Sequence, residues 1–235
     1  MPDELVILLG SAASIGVVHT VIGPDHYLPF TAMARARGWS LRRTLWITAG
    51  CGLGHVLSSV VLGAIGIAAG ITLRSLKRFE SGRGEAAGWA LIAFGLVYLT
   101  WSLVRLFRGR THAHTHVHPD GTRHAHSHAH QDEHAHAHTA KSGNLVPWSL
   151  FVIFVLGPCE PLIPLLMFPA AVLSPGAVAL VAAVFSLATI ATMLALVGLT
   201  TAGLRVVRPR SLDRFGQPIA GALVVLCGVA IKLGL

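Results

Sequence analysis

The sequence predicts an all-α integral membrane protein of six transmembrane helices, arranged as a 3+3 inverted repeat with the first and fourth helices broken. Three observations lead there. Hydrophobic residues make up 53% of the 235 positions and charged residues only 12%, whereas soluble domains carry about 25% charged residues. Six apolar stretches, near 4–34, 45–71, 87–107, 147–172, 176–203 and 216–234, are long enough to cross a bilayer, which takes about 20 apolar residues. Two of these stretches are interrupted by similar proline-broken runs, Gly23-Pro24-Asp25-His26-Tyr27-Leu28-Pro29 and Gly157-Pro158-Cys159-Glu160-Pro161-Leu162-Ile163-Pro164.

Span one opens with Asp3 and Glu4 and lacks a basic leader, so no cleavable signal peptide is expected. It carries His19, Asp25 and His26. A proline inside a helix orphans the carbonyl four residues earlier, so Pro24 frees that of Thr20 and Pro29 that of Asp25. Span two carries His55 among small residues, Gly50-Cys51-Gly52-Leu53-Gly54 and Gly63-Ala64-Ile65-Gly66, which let membrane helices approach closely. After span three, a polar tract over 108–146 divides the chain into a first repeat (1–107) and a second (147–235). Three spans is an odd number, so the second repeat enters the membrane from the opposite side. In span four Pro158, Pro161 and Pro164 free the carbonyls of Phe154, Gly157 and Glu160. Ser58, Ser59, Ser186, Thr189 and Thr192 either line a polar path or pack helices. Cys51, Cys159 and Cys227 all lie in apolar segments and imply no disulfide framework.

The net charge of +8 is not spread as a nucleic-acid-binding face; its residues cluster between apolar runs. The connections after spans one, three and five carry Arg35, Arg37, Arg42, Arg43, Arg105, Arg108, Arg110, Arg123, Lys141, Arg205, Arg208, Arg210 and Arg214. The opposite face carries Arg74, Lys77, Arg78, Arg83 and Lys232. The positive-inside rule makes the first group cytoplasmic, with the 108–146 loop inside, both termini outside, and the cell's inner (plasma) membrane as the location.

Ionisable groups at membrane depth are costly, about 2.5–3.5 kcal/mol for a central aspartate, and mark functional sites. Imidazoles beside carboxylate and freed carbonyl oxygens suit a divalent ion such as Ni²⁺, Co²⁺ or Zn²⁺. The metal candidates are His19, Asp25, His26, His55, Cys159 and Glu160. In an unbroken helix His19 and His26 lie about 10 Å apart along the axis. Either unwinding at Gly23-Pro24 folds Asp25 and His26 back toward His19, the version we favour, or the two histidines serve successive sites.

His19, Gly23-Pro24-Asp25-His26, Gly54-His55 and the run Leu156 to Pro164 together resemble the nickel/cobalt transporter family, especially its six-span UreH-like branch. The spacing from His19 to Asp25 is one residue longer than the usual family pattern. The resemblance covers most of the membrane-embedded chain and implies transport of Ni²⁺ or Co²⁺, with His19, Asp25, His26 and His55 in the metal path. It points to uptake, and to a cytoplasmic metallochaperone or urease-assembly proteins as partners alongside the bilayer and the ion. No cofactor and no enzymatic role are expected.

His112, His114, His116, His118, His124, His126, His128, His130, His134, His136 and His138 alternate with small residues. We expect a flexible cytoplasmic metal buffer that offers many interchangeable imidazoles. It can accept imported metal or capture metal for efflux, the alternative direction. No Gly-x-x-x-x-Gly-Lys-Ser/Thr run is present, so transport would draw on an ion gradient, the membrane potential or a partner protein, one repeat rocking against the other. Two other readings compete. The Pro158-Cys159 to Pro164 run is similar to thiol relays of the DsbD/CcdA type, but Asp25 stands where the paired cysteine belongs. A sensor that only binds nickel is the other, and vesicle uptake separates it from a transporter.

Overall fold

Prolines, glycines and hydroxyl caps set the helix ends in the computed structural model of the chain, which describes residues 2–108, 111–117, 123–129, 145–172, 174–206 and 215–234. Helix α1 (Pro2–Ile22) stops at Gly23, a 3₁₀ turn spans Pro24–His26, and α2 (Leu28–Arg37) follows. Pro29 falls in the first turn of α2, where a missing N–H breaks no helical bond. Gly38, at φ 61°, closes α2, with Trp39 N–H donating back to Ala34 O at 2.9 Å. Helix α3 (Leu41–Ala68) starts behind Ser40, whose hydroxyl accepts the Arg43 N–H, and α4 (Leu73–Phe107) behind Thr72, which accepts that of Ser75.

In the second half, α5 (Leu145–Leu156) and α6 (Leu162–Val172) flank the break at residues 157–161. Helices α7 (Pro175–Val206) and α8 (Gly216–Lys232) complete the chain. Both expected interruptions are therefore present. Among the described residues, four helices are long and apolar enough to cross a membrane: α1, α3, α4 and α7. The α5 and α8 helices are apolar but shorter, at 12 and 17 residues.

The third helix corrects the sequence-based boundary. It begins at Leu73 and not near 87, so Arg74, Lys77, Arg78 and Arg83 lie on a helix and not in a loop. Residues 73–86 are too polar for a hydropathy window to include, yet Thr72 caps them as one continuous helix with the apolar part.

Each broken element packs against the long middle helix of the other half: α1 on α7, and α5 and α6 on α3. Helix α3 also meets α7, and the most extensive pairing is α4 with α8. That last seam depends on two glycines of α8. A Cβ on Gly221 would lie 2.8 Å from the Leu99 backbone, and one on Gly228 2.8 Å from Gly88 O. The backbones touch because those side chains are absent.

Two buried hydrophobic clusters lie on either side of the chain breaks. One contains Phe30, Met33, Leu150, Phe154, Tyr98, Met193 and Val224. It sits toward the end where α2 and α4 finish, and there Arg37 stacks over Tyr98 and Trp101, and Arg105 over Trp101. The other cluster contains Ala12, Val56, Leu162, Leu166, Val181 and Phe185, toward the opposite end.

Part of the histidine tract is extended. Thr111–Val117 (β1) and Arg123–Ala129 (β2) pair antiparallel, setting His112 opposite His128, His114 opposite His126 and His116 opposite His124. We expected a tract without fixed pairing; the alternating pattern has the period of a strand, and Pro119-Asp120-Gly121 between the strands is a turn sequence. His118, His130, His134, His136 and His138 lie outside the described residues.

Candidate metal centre

Eleven of the 14 histidines belong to the tract; the remaining three, His19, His26 and His55, meet among the apolar helices. One ring nitrogen from each lies within 4.8 Å of the others. His19 lies in the last turn of α1, and Gly23 N–H closes that turn onto His19 O at 3.0 Å. The chain then turns at Pro24 and brings His26 back, so the His19 and His26 ring centroids are 4.7 Å apart. Unwinding, the favoured version, has removed most of the helical rise between them. Gly23 makes this turn feasible, because a Cβ there would lie 2.6 Å from His26 Nδ1.

His55 reaches the same point from α3, its ring 5.2 Å from that of His26 and nearly perpendicular to it. Gly54 permits the approach: a Cβ at that position would lie 2.8 Å from the Val155 side chain on α5.

The hydrogen bonds determine which nitrogens remain free. His55 Nδ1 donates to Phe154 O at 3.3 Å, and His26 Nδ1 lies 3.2 Å from both Gly23 O and Asp25 Oδ1. A proton held on Nδ1 by these oxygens leaves the lone pair on Nε2. Among the described residues, the Nε2 atoms of His19, His26 and His55 are all buried without a partner. Three unpartnered buried nitrogens are costly for a resting core and suited to a divalent metal. Bonds of about 2.0–2.1 Å set tetrahedral ligand nitrogens about 3.4 Å apart, so a group spread over 4.8 Å closes by about 1.4 Å to hold an ion. Asp25 has the place of an orienting carboxylate behind a ligand imidazole, 19% exposed, outside the three-nitrogen cluster.

A cavity of about 550 Å³ opens over these groups, lined by His19, Asp25, His26 and His55, by Ser14 and Val18 of α1, by Phe154, Gly157, Pro158 and Glu160 at the second break, and by Ile231 and Gly234. Both proline-broken turns therefore face one space. Glu160 is exposed in this cavity, away from the three histidines. Cys159 is fully buried in the cluster around Leu162 and Phe185, and its N–H donates to Ser59 Oγ at 3.2 Å. It is not part of the histidine group.

Sequence reasoning missed a second polar pair. Glu80 of α4 is 1% exposed and accepts from Arg83 Nη1 at 2.9 Å, while Arg83 Nη2 donates to Ser58 Oγ and Val155 O, each at 2.7 Å. The carbonyls expected to be freed at the second break are thus partly claimed by protein donors: Phe154 O by His55, and Gly157 O by Arg83 at 3.5 Å. An acidic and a basic residue three apart in an otherwise loop-like window was the one available signal.

No family profile, curated protein or solved structure matches the chain.

Proposed function

We propose that this chain is a multi-pass membrane transporter of a divalent transition metal, Ni²⁺ or Co²⁺, of the nickel/cobalt type and closest to its UreH-like branch. The observation that carries the reading is the meeting of three imidazoles at a helix break, with their Nε2 atoms unpartnered among the described residues and the Nδ1 of His26 and His55 held by neighbouring oxygens. Borderline divalent ions favour such nitrogen donors, and Asp25 supplies negative charge one step behind them. The substrate ion would sit where α1, the turn and α3 converge, with Glu160 offering a carboxylate on the way in.

The arrangement of helices supports a 3+3 inverted repeat of six spans. Each half is a broken element followed by two further helices, and each broken element packs on the middle helix of the other half. The cavity extends from the histidines toward Gly234, away from the arginine-stacked end of the bundle. Between the histidines and that arginine-rich end lie Phe30, Met33 and Leu150, each fully buried. With the basic end cytoplasmic, the site is exposed outward and closed inward, as a carrier loading metal for uptake would be. The three cysteines are free thiols, with Cys159 in a different cluster from Cys51 and Cys227, which gives a thiol relay no support.

The test is metal flux into vesicles that carry the protein. Wild-type vesicles accumulate Ni²⁺ or Co²⁺, and His26→Ala and Asp25→Ala abolish accumulation at unchanged membrane level. Unaltered flux in both variants sinks the proposal, and metal loss from cells on expression establishes efflux as the direction.

A further inference from the structure

Arg83 touches both sides of the contact that orients His55. On the α3 side its guanidinium donates to Ser58 Oγ, and that hydroxyl in turn donates to His55 O at 2.8 Å. On the α5 side it donates to Val155 O and Gly157 O, which follow directly after the Phe154 carbonyl that holds His55 Nδ1. One planar, five-donor group therefore spans the α3–α5 seam at the level of the metal centre. Its charge is balanced by Glu80, buried beside it.

The break at 157–161 needs such a group. Gly157 O has lost its helical donor to Pro161, the Cys159 N–H that would meet Val155 O turns instead to Ser59 Oγ, and lipid offers no replacement. Nη1 faces Glu80 while Nη2 makes the contacts to Ser58 and the two carbonyls, and the single nitrogen of a lysine cannot hold both positions. We propose that Arg83, paired with Glu80, is a positioning residue that fixes the second chain break against α3, so that the Phe154 carbonyl holds the His55 imidazole in its metal-binding orientation. This rests on the three-histidine reading and extends it to a residue that touches no metal.

The experiment is a Co²⁺ titration of the full-length protein in detergent. It follows the d–d absorption, whose position and intensity report ligand geometry, and takes the component lost in His55→Ala as the membrane centre. Removing Arg83 alone strands a buried carboxylate, so the principal variant is the Arg83→Gln/Glu80→Gln double replacement. Its His55-dependent component should weaken by about 10–100-fold, the range of a lost orienting partner, with a shifted band. Arg83→Lys should fall between it and wild type. Should the double variant fail to fold, Ser58→Ala carries the same shift at smaller size. Wild-type affinity and an unmoved band in whichever variant folds overturn the positioning role alone. Identical titrations for wild type and His55→Ala overturn the metal centre, and this proposal with it.

Discussion

At the residue scale, the smallest side chain has the largest effect on the centre. Gly23 has an ordinary φ of −78°, so its role is space and not backbone freedom. A methyl group there would meet His26 Nδ1 at 2.6 Å and Asp25 Oδ1 at 2.9 Å. Gly23→Ala should therefore displace the turn and weaken Co²⁺ binding at the His55-dependent centre at least tenfold, as loss of an orienting contact does; titration followed by absorption checks it. His19, His26 and His55 were legible because histidine among apolar residues stands out, and Pro24 marks where the helix must open. The Asp25 position one step behind the imidazoles was not legible, since sequence shows adjacency without direction. Arg83 was hidden for another reason. Between Arg74 and Glu85 the composition is that of a loop, and only tertiary contacts distinguish a guanidinium inside the bundle from one in water.

At the element scale, both helix breaks were readable from proline and glycine, whereas the start of α4 depended on a single Thr72 cap that hydropathy does not register. The α4–α8 seam leads to a prediction. Gly221→Leu would force a side chain into the Leu99 backbone at 2.8 Å, and overpacking of this kind costs about 1–3 kcal/mol. The thermal midpoint of the protein in detergent should fall, while a similar change at Gly50, where an added Cβ meets nothing within 4 Å among the described residues, should not lower it. The histidine tract belongs to this scale too. Removing residues 112–138 should lower metal accumulation without abolishing translocation in vesicle flux. Complete loss of flux would mean that the tract belongs to the transport path.

For the whole molecule, composition was sufficient to read a membrane protein, and loop charge gives a direction that can be tested. Ser14 lines the cavity, whereas the native thiols Cys51, Cys159 and Cys227 are all buried. A Ser14→Cys variant should react with a membrane-impermeant thiol reagent added outside intact cells, and added metal should slow the reaction. Labelling only from the cytoplasmic side would reverse the assigned orientation.

The glycine contacts between α4 and α8 constrain how such a machine works. Where backbones interlock at Gly88, Gly221 and Gly228, the last helix of each half is keyed to its counterpart along one close seam. On the proposed reading, a stroke that hands an ion across the bilayer would find its joints in the two interrupted helices, beside a seam that resists sliding.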